Sequence, residues 1–182
     1  MRLFVAVNFD DEVKKRFLEI QALLRAQSIR GNFTRAENLH LTLVFLGETP
    51  EEKLKDIFQI IDDINTPSFD VTFNRAGCFS HSRKELWWLG AAPDSPGLCG
   101  LKAIHGKLIS ALSDAGVSVD KRPYSAHITL GREIKHSEPV VLDCPEIVVK
   151  VNRVSLMKSE HIRGVLTYTE LMGRELIRIE EA

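Results

Sequence analysis

Cysteine is scarce in this 182-residue chain, and charge is balanced. The three cysteines, Cys78, Cys99 and Cys144, form no CxxC pair and lie near no Cys/His cluster. This argues against a disulfide framework and a structural zinc site, and it favours a reducing compartment. The 24 basic and 25 acidic residues give a formal net charge of −1. A non-specific polyanion binder would carry a basic excess, so that class is disfavoured, although a local basic pocket remains compatible.

Long apolar runs are also missing. The chain begins MRLFVAVNFDDEVKK, whose apolar run is too short for a signal peptide and is soon followed by acids. No stretch approaches the roughly 20 apolar residues of a membrane span. We therefore expect a cytoplasmic protein without a membrane partner. With 44% apolar and 27% charged residues, residues 1–182 can form a single domain with a substantial core.

The pattern along the chain mixes strands and helices without regular βαβ alternation, which predicts an α+β fold with a largely antiparallel sheet. Strands are predicted at 2–9, 39–47, 69–79, 84–89, 126–132 and 146–159, with a final hairpin of 165–170 and 174–180. One helix follows the capping pair at 10–11 and another spans about 98–115. A third is predicted to begin with Thr49 as N-cap and Pro50 at its first position.

The most informative feature is a repeat. The segment HLTL at residues 40–43 recurs as HITL at residues 127–130, each early in a predicted strand. Side chains two positions apart on a strand point to the same face. His40 and Thr42 therefore share one face, as His127 and Thr129 do. By the same parity Phe45 faces away from His40, so core packing is its expected role, although stacking on a terminal base stays open.

Two half-chains that each present such a strand predict a bilobal, pseudo-two-fold arrangement. We expect two largely antiparallel sheets lining a central cleft, with helices on the outside. A single His-x-Thr on a strand is more often a solvated polar face, but two copies with matching apolar partners are hard to explain in that way. A metal site is the other alternative. It is disfavoured because HxH and HxxxH spacings are absent and each histidine has a threonine beside it.

The two motifs, HLTLVFLGE and HITLGR, resemble the paired H-x-T-x motifs of the two-histidine phosphoesterase superfamily. Within it the chain is most similar to the RNA 2′,3′-cyclic phosphodiesterases, also called 2′-5′ RNA ligases. The blocks RLFVAV, ENLHLTLVFLG and RPYSAHITLGR match in order, so the resemblance covers essentially the whole chain. It implies a bilobal α+β fold with one motif per lobe and a central cleft. We expect no cofactor and no metal.

The resemblance also implies an activity: hydrolysis of a terminal 2′,3′-cyclic phosphate to a 2′-phosphomonoester. It makes His40 and His127 the catalytic pair and assigns Thr42, Thr129 and Arg132 to the phosphate. Imidazoles with pKa values near 6.5 suit both proton transfers at neutral pH. We expect His127 to activate water and His40 to protonate O3′, although the opposite order stays open at this stage.

Two other functions remain open, one enzymatic and one not. The reverse reaction would make the protein a 2′-5′ RNA ligase acting on ends like those of tRNA halves, and a catalytically silent RNA-end binding module would keep only the fold. The expected partners are RNA with a 2′,3′-cyclic phosphate end or small cyclic nucleotides, bound by a monomer. Trp87, Trp88 and Tyr124 are further candidates to stack on a base, and at least one of the two tryptophans should be buried. The remaining four histidines receive no role.

Overall fold

The computed structural model describes residues 1–81, 84–120 and 122–178. The strands are β1 (Arg2–Asn8), β2 (Arg30–Phe33), β3 (His40–Glu48), β4 (Phe69–His81), β5 (Lys84–Ala91), β6 (His127–Lys135), β7 (Ile147–Val151), β8 (Arg153–Ile162) and β9 (Val165–Glu175). The helices are α1 (Asp11–Ala26), α2 (Leu54–Asp62) and α3 (Pro96–Asp114). None of the helices in these residues is long and apolar enough to cross a membrane. The α+β class predicted from sequence is confirmed.

The strands of the described residues form one nine-stranded sheet in the order β7-β4-β5-β6-β3-β1-β8-β9, with β2 beside β6. The two motif strands meet at its centre in an antiparallel contact between Leu41 and Ile128. Leu41 and Ile128 hold the same position in the two copies of the repeat, so this contact marks a local two-fold relation. The sequence predicts two sheets. The described residues instead form one sheet, in which the two halves of the chain are joined at the pair of Leu41 and Ile128.

The core lies on one face of the sheet, beneath α1 and α3. Phe17 and Leu24 of α1, together with Leu101 of α3, are fully buried against Leu41 and Ile128 of the motif strands. Burying each side chain of this size stabilises the folded state by about 1.5–3 kcal/mol. Side chains cap the first turns of α1 and α3. Asp10 accepts from the amide of Val13 at 2.8 Å, and Ser95 caps α3 through the amide of Leu98. The opposite face, which carries the histidines and threonines, is left open.

The predicted N-cap role of Thr49 is wrong. Thr49 is buried, its amide donates to the Met1 carbonyl at 2.8 Å, and its hydroxyl donates to the Gly47 carbonyl at 3.2 Å. Helix α2 begins at Leu54 after a short 3₁₀ turn, and no side chain caps either element. The Thr49 amide thus links the residue after β3 to Met1, and the Thr49 hydroxyl points to the Gly47 carbonyl. The side chain therefore caps no helix.

The C-terminal strands also differ from the prediction. The expected strand 146–159 divides at Asn152 into β7, which pairs with β4, and β8, which pairs with β1. Strand β9 runs without a break to Glu175 and pairs with β8, so the predicted hairpin of 165–170 and 174–180 is wrong, and residues 179–180 lie outside the described part of the chain. The alternation of side chains along these segments predicts strands, but a period of two does not report where a strand changes partner. Strand β2 had no counterpart in the prediction.

Candidate active site

Each motif strand contains a β-bulge at the same position of the repeat. Ala6 and Val5 of β1 pair with Thr42 and Val44, which leaves Leu43 as the extra residue of β3. In β6 the extra residue is Leu130, since Trp88 and Trp87 of β5 pair with Thr129 and Gly131. A bulge puts two consecutive residues on one side of a strand and shifts the alternation that follows. Both strands show this shift as two adjacent buried residues in their burial patterns.

The bulges turn Phe45 and Arg132 onto the same face as the histidines. Both residues lie five positions after their histidine, where strict alternation would point them into the core. Phe45 is instead 38% exposed, and both residues line the cleft. The prediction that Phe45 belongs to the core is therefore wrong. The two half-sites match in histidine and threonine and differ at this third position, which is aromatic on one side and cationic on the other.

The carbonyl group of each bulge residue is satisfied by a side chain from a helix. Nε2 of Gln21, on α1, donates to the Leu130 carbonyl at 2.8 Å, and Gln21 is itself buried. On α3, Nδ1 of His105 donates to the Leu43 carbonyl at 2.8 Å. The Leu130 carbonyl also accepts from the amide of Thr34 at 2.9 Å. Buried carbonyls need donors, so these bonds support the bulges. Sequence alone predicts no role for Gln21 or His105, because neither lies near a motif.

One cleft brings all five predicted site residues together: His40, Thr42, His127, Thr129 and Arg132. Its volume is about 840 Å³, within the range of small-molecule sites. The cleft is also lined by Arg2, Phe4, Phe45, His161 and Tyr168. In the described part of the chain, no group of three or more His, Cys, Asp or Glu side chains is placed to hold a metal ion.

The His40 ring is held by hydrogen bonds at both nitrogens. Nδ1 lies 2.7 Å from the carbonyl oxygen of Asn38, and Nε2 lies 3.0 Å from Oγ1 of Thr42. A carbonyl can only accept, so Nδ1 carries the hydrogen. In the neutral ring Nε2 then has the free lone pair and accepts from the Thr42 hydroxyl. Nε2 is consequently the nitrogen through which His40 can exchange a proton.

The His127 ring is held in the same way. Its Nδ1 lies 2.8 Å from the carbonyl oxygen of Ser125, two residues earlier, as Asn38 is to His40. The same tautomer follows, with Nε2 again available for proton transfer. The repeat therefore extends to a backbone carbonyl that orients each imidazole. Sequence could not show this feature, since any residue type supplies a carbonyl.

Electrostatics keep both rings neutral in the free protein at pH 7. Burial lowers the pKa of His40 to about 4, more than the bond to Asn38 raises it, and the positive charge of Arg132 acts in the same direction. Burial also lowers the pKa of His127, against the opposing effect of the Ser125 carbonyl. An anion bound between the rings would oppose these shifts, because negative charge favours the protonated imidazole.

Different aromatic side chains flank the two histidines. The rings of Phe4 and Tyr168 lie 4.9 Å and 5.2 Å from the His40 ring, by centroid distance. Next to His127 are Phe79, at 5.3 Å, and Trp88, at 6.4 Å.

The two tryptophans and Tyr124 lie in different surroundings. Trp87 is buried and Trp88 is half-buried, which confirms that one of the pair belongs to the core. Tyr124, a stacking candidate, instead stacks on His105 with centroids 4.4 Å apart.

A cleft with a histidine and a threonine from matching strands on each wall is that of a two-histidine phosphoesterase. Comparison with known proteins agrees. Residues 7–88 match the family model described as LigT like Phosphoesterase. The RNA 2′,3′-cyclic phosphodiesterase of Escherichia coli is 33% identical over 172 residues, covering 93% of each chain. That of Thermotoga maritima is 32% identical over 168 residues, covering 87% of each. The chain belongs to the LigT-like phosphoesterase family, which confirms the resemblance drawn from the motifs.

Solved structures agree with the fold. The apo crystal structure of E. coli LigT superposes with a TM-score of 0.82 at 29% identity and covers 96% of both chains. TT0787 of Thermus thermophilus also gives a TM-score of 0.82, at 26% identity, covering 96% of this chain and 97% of that one.

Proposed function

We propose that the protein hydrolyses the terminal 2′,3′-cyclic phosphate of RNA to a 2′-phosphomonoester. The observation that carries this proposal is the pair of imidazoles in one cleft, each with Nδ1 bound to a carbonyl and Nε2 available. Two such groups can take a proton from water and give one to the leaving oxygen. Relatives named RNA 2′,3′-cyclic phosphodiesterase support the same activity, and E. coli LigT has been crystallised with 3′-AMP.

In the proposed reaction, water attacks phosphorus while the bond from phosphorus to O3′ breaks. His127 accepts the proton of the attacking water through Nε2, and His40 gives its Nε2 proton to O3′. Arg132 and the hydroxyls of Thr42 and Thr129 hold the non-bridging oxygens, where negative charge builds up. The Leu130 bulge turns the side chain of Arg132 into the cleft, which supports this role.

The position in which a nucleoside would fit supports this order of the two roles. Phe45 and Tyr168 line the cleft on the His40 side and offer apolar surface to a base and ribose, while the buried Phe4 packs against the rings of His40 and Tyr168. The guanidinium of Arg2 lies 5.1 Å from the Phe45 ring centroid and can cover one edge of that surface. A nucleoside bound here would place O3′ beside His40, which makes His40 the acid.

The acid role requires His40 to be protonated in the complex, although burial lowers its pKa to about 4 in the free protein. The phosphodiester anion supplies the missing charge, because it lies between both rings and favours their protonated forms. In the complex, Thr42 also releases Nε2 when its hydroxyl turns to the phosphate. His40 is thereby protonated together with substrate binding.

We extend the proposal to partners and setting. The substrates are RNA ends with a 2′,3′-cyclic phosphate or small cyclic nucleotides, handled by a monomer of one bilobal domain without a cofactor or metal. A cytoplasmic location is supported by the three cysteines, each of which is a free thiol.

The test is turnover of 2′,3′-cyclic AMP, and of a short RNA with the same end, in the presence of EDTA. We expect a single product, the 2′-phosphomonoester, identified by ³¹P NMR, at a rate that EDTA does not change. A 3′-phosphate product would contradict O3′ as the leaving oxygen. Loss of turnover in EDTA would contradict the metal-independent mechanism, and binding without turnover would favour the silent RNA-end module.

A further inference from the structure

Strand β6 changes partner beside the active site. On one of its edges Ile128 pairs with Leu41 of β3, whereas Gly131 pairs with Phe33 of β2. We call residues 128–131, where β3 and β2 diverge, the fork. A ladder cannot serve both partners at the point of divergence, so the backbone carbonyls there need other donors. The bulge residue Leu130 lies inside the fork.

Gln21 closes the fork from α1. Its side-chain nitrogen Nε2 donates to the Leu130 carbonyl and to the Thr34 carbonyl, each at 2.8 Å. An amide nitrogen carries two hydrogens, so both are used. The Thr34 amide donates in turn to the Leu130 carbonyl at 2.9 Å. One side chain thereby joins the bulge of β6 to the residue that follows β2.

The burial of Gln21 gives this link its weight. Gln21 is 5% exposed and lies on the buried face of α1, together with Phe17, Ile20 and Leu24. A polar side chain is costly to bury unless its hydrogen bonds are made, and a leucine or methionine would fill the same space without that cost. The amide therefore has a task at this position that an apolar side chain could not perform.

Both ends of the link lead to groups of the active site. Leu130 is the bulge residue that turns Arg132, two positions later, into the cleft. On the other side, Thr34 begins the segment whose last residue, Asn38, holds Nδ1 of His40 through its carbonyl. Burial and the charge of Arg132 both lower the pKa of His40, so the two side chains are close enough to interact.

We propose that Gln21 is a positioning residue for the hydrolysis reaction, which sets the place of the Arg132 guanidinium relative to the His40 imidazole. It acts from the core face of the sheet, opposite the cleft. This inference rests on the proposed function, in which Arg132 holds a non-bridging oxygen while His40 gives its proton to O3′. Both groups act on one phosphate, so moving the bulge by about 1 Å would misalign them and slow the reaction by up to about 10²-fold.

The experiment is a double-mutant cycle on 2′,3′-cyclic AMP hydrolysis, measured as kcat/KM. Gln21→Met keeps the length and apolar bulk of the side chain and removes both donated hydrogen bonds. We expect it to lower kcat/KM at least about tenfold. Arg132→Met should lower kcat/KM about 10²-fold. Adding Gln21→Met to Arg132→Met should cost less than about twofold more, because the side chain that Gln21 positions is then missing.

Two further variants separate positioning from stability. Leu24→Ala, three residues further along α1, removes buried apolar contacts and leaves the amide of Gln21 in place. It should lower the midpoint of thermal unfolding, followed by circular dichroism, and keep the wild-type kcat/KM. Gln21→Asn keeps the amide on a shorter side chain that reaches one carbonyl at most, so its kcat/KM should lie between those of the wild type and Gln21→Met. It takes the place of Gln21→Met in the cycle if Gln21→Met is unfolded at the assay temperature.

Three results would overturn the inference. The first is a folded Gln21→Met variant whose kcat/KM is within twofold of the wild type. The second is an equal fall of kcat/KM with and without Arg132, which would mean that Gln21 does not act through the guanidinium. The third is a Leu24→Ala variant that loses as much activity as Gln21→Met, which would make the loss a general effect of destabilisation. Failure of the proposed function is seen separately, as absence of 2′,3′-cyclic AMP hydrolysis by the wild type.

Discussion

Replacing either catalytic histidine by alanine is expected to lower kcat for 2′,3′-cyclic AMP hydrolysis by at least about 10²-fold, because each positioned proton transfer contributes about 10²–10⁴-fold. Both His40 and His127 are half-buried on the open face of the sheet, outside the apolar core. We therefore expect little change in thermal unfolding followed by circular dichroism. The loss should fall on kcat, measured at saturating substrate in EDTA.

His161 offers a matched control for these substitutions. It lines the same cleft, and the mechanism gives it no proton to transfer. His161→Ala is expected to keep a kcat near that of the wild type. The double variant His40→Ala/His127→Ala should be little slower than the slower single variant, because the two rings serve one step and their effects are not additive. Near-full turnover by either single variant would remove that histidine from the mechanism.

The pH dependence of kcat/KM is the second large effect. The productive free enzyme holds one proton on the two imidazoles, and this form is most populated between their two pKa values. Burial sets the pKa of His40 at about 4 and lowers that of His127 below its usual 6.5. We expect a bell whose maximum lies between about pH 4 and 6.5. Above pH 6.5, kcat/KM should fall about tenfold per pH unit, so about 10²-fold by pH 8.5.

The profile of kcat should lie at higher pH than that of kcat/KM. The bound phosphodiester carries one negative charge throughout this range and raises both imidazole pKa values in the complex. The bell is the same whichever ring is the acid, because both orders need one proton on the pair. The measurement is initial-rate kinetics from pH 4 to 9 in buffers of constant ionic strength. A kcat/KM that stays flat from pH 6 to 9 would contradict the need for a protonated imidazole.

The repeat at residues 40–43 and 127–130 was enough to predict the cleft, because motif parity depends only on local strand geometry. The same parity fails at Phe45 and Arg132. Each lies beyond a bulge, where the bulge residue Leu43 or Leu130 is followed by a second buried residue and the alternation shifts. Family resemblance assigns Arg132 to the phosphate, and the structure brings its side chain into the cleft through the bulge. Phe45, for which only parity was used, was misplaced.

The support for the bulges is a tertiary feature that local pattern does not contain. Gln21 meets the Leu130 carbonyl across 109 positions of sequence, and His105 meets the Leu43 carbonyl across 62. Each donor lies on a helix that also packs into the core, so its position depends on how the helix docks. The pairing of β7, β8 and β9 is also a tertiary feature. Their alternation was visible in sequence, but the partners and the change at Asn152 depend on the whole sheet.

A crystal structure with a 2′,3′-cyclic nucleoside vanadate tests most directly whether the two rings act on one phosphorus. Five-coordinate vanadium stands in for phosphorus at the point where the attacking and leaving oxygens occupy opposite apices. We expect Nε2 of His127 and Nε2 of His40 each to lie within hydrogen-bond distance, about 2.6–3.2 Å, of a different apical oxygen. Rings that reach the same apex, or one ring that reaches neither, would contradict paired acid–base catalysis across this cleft.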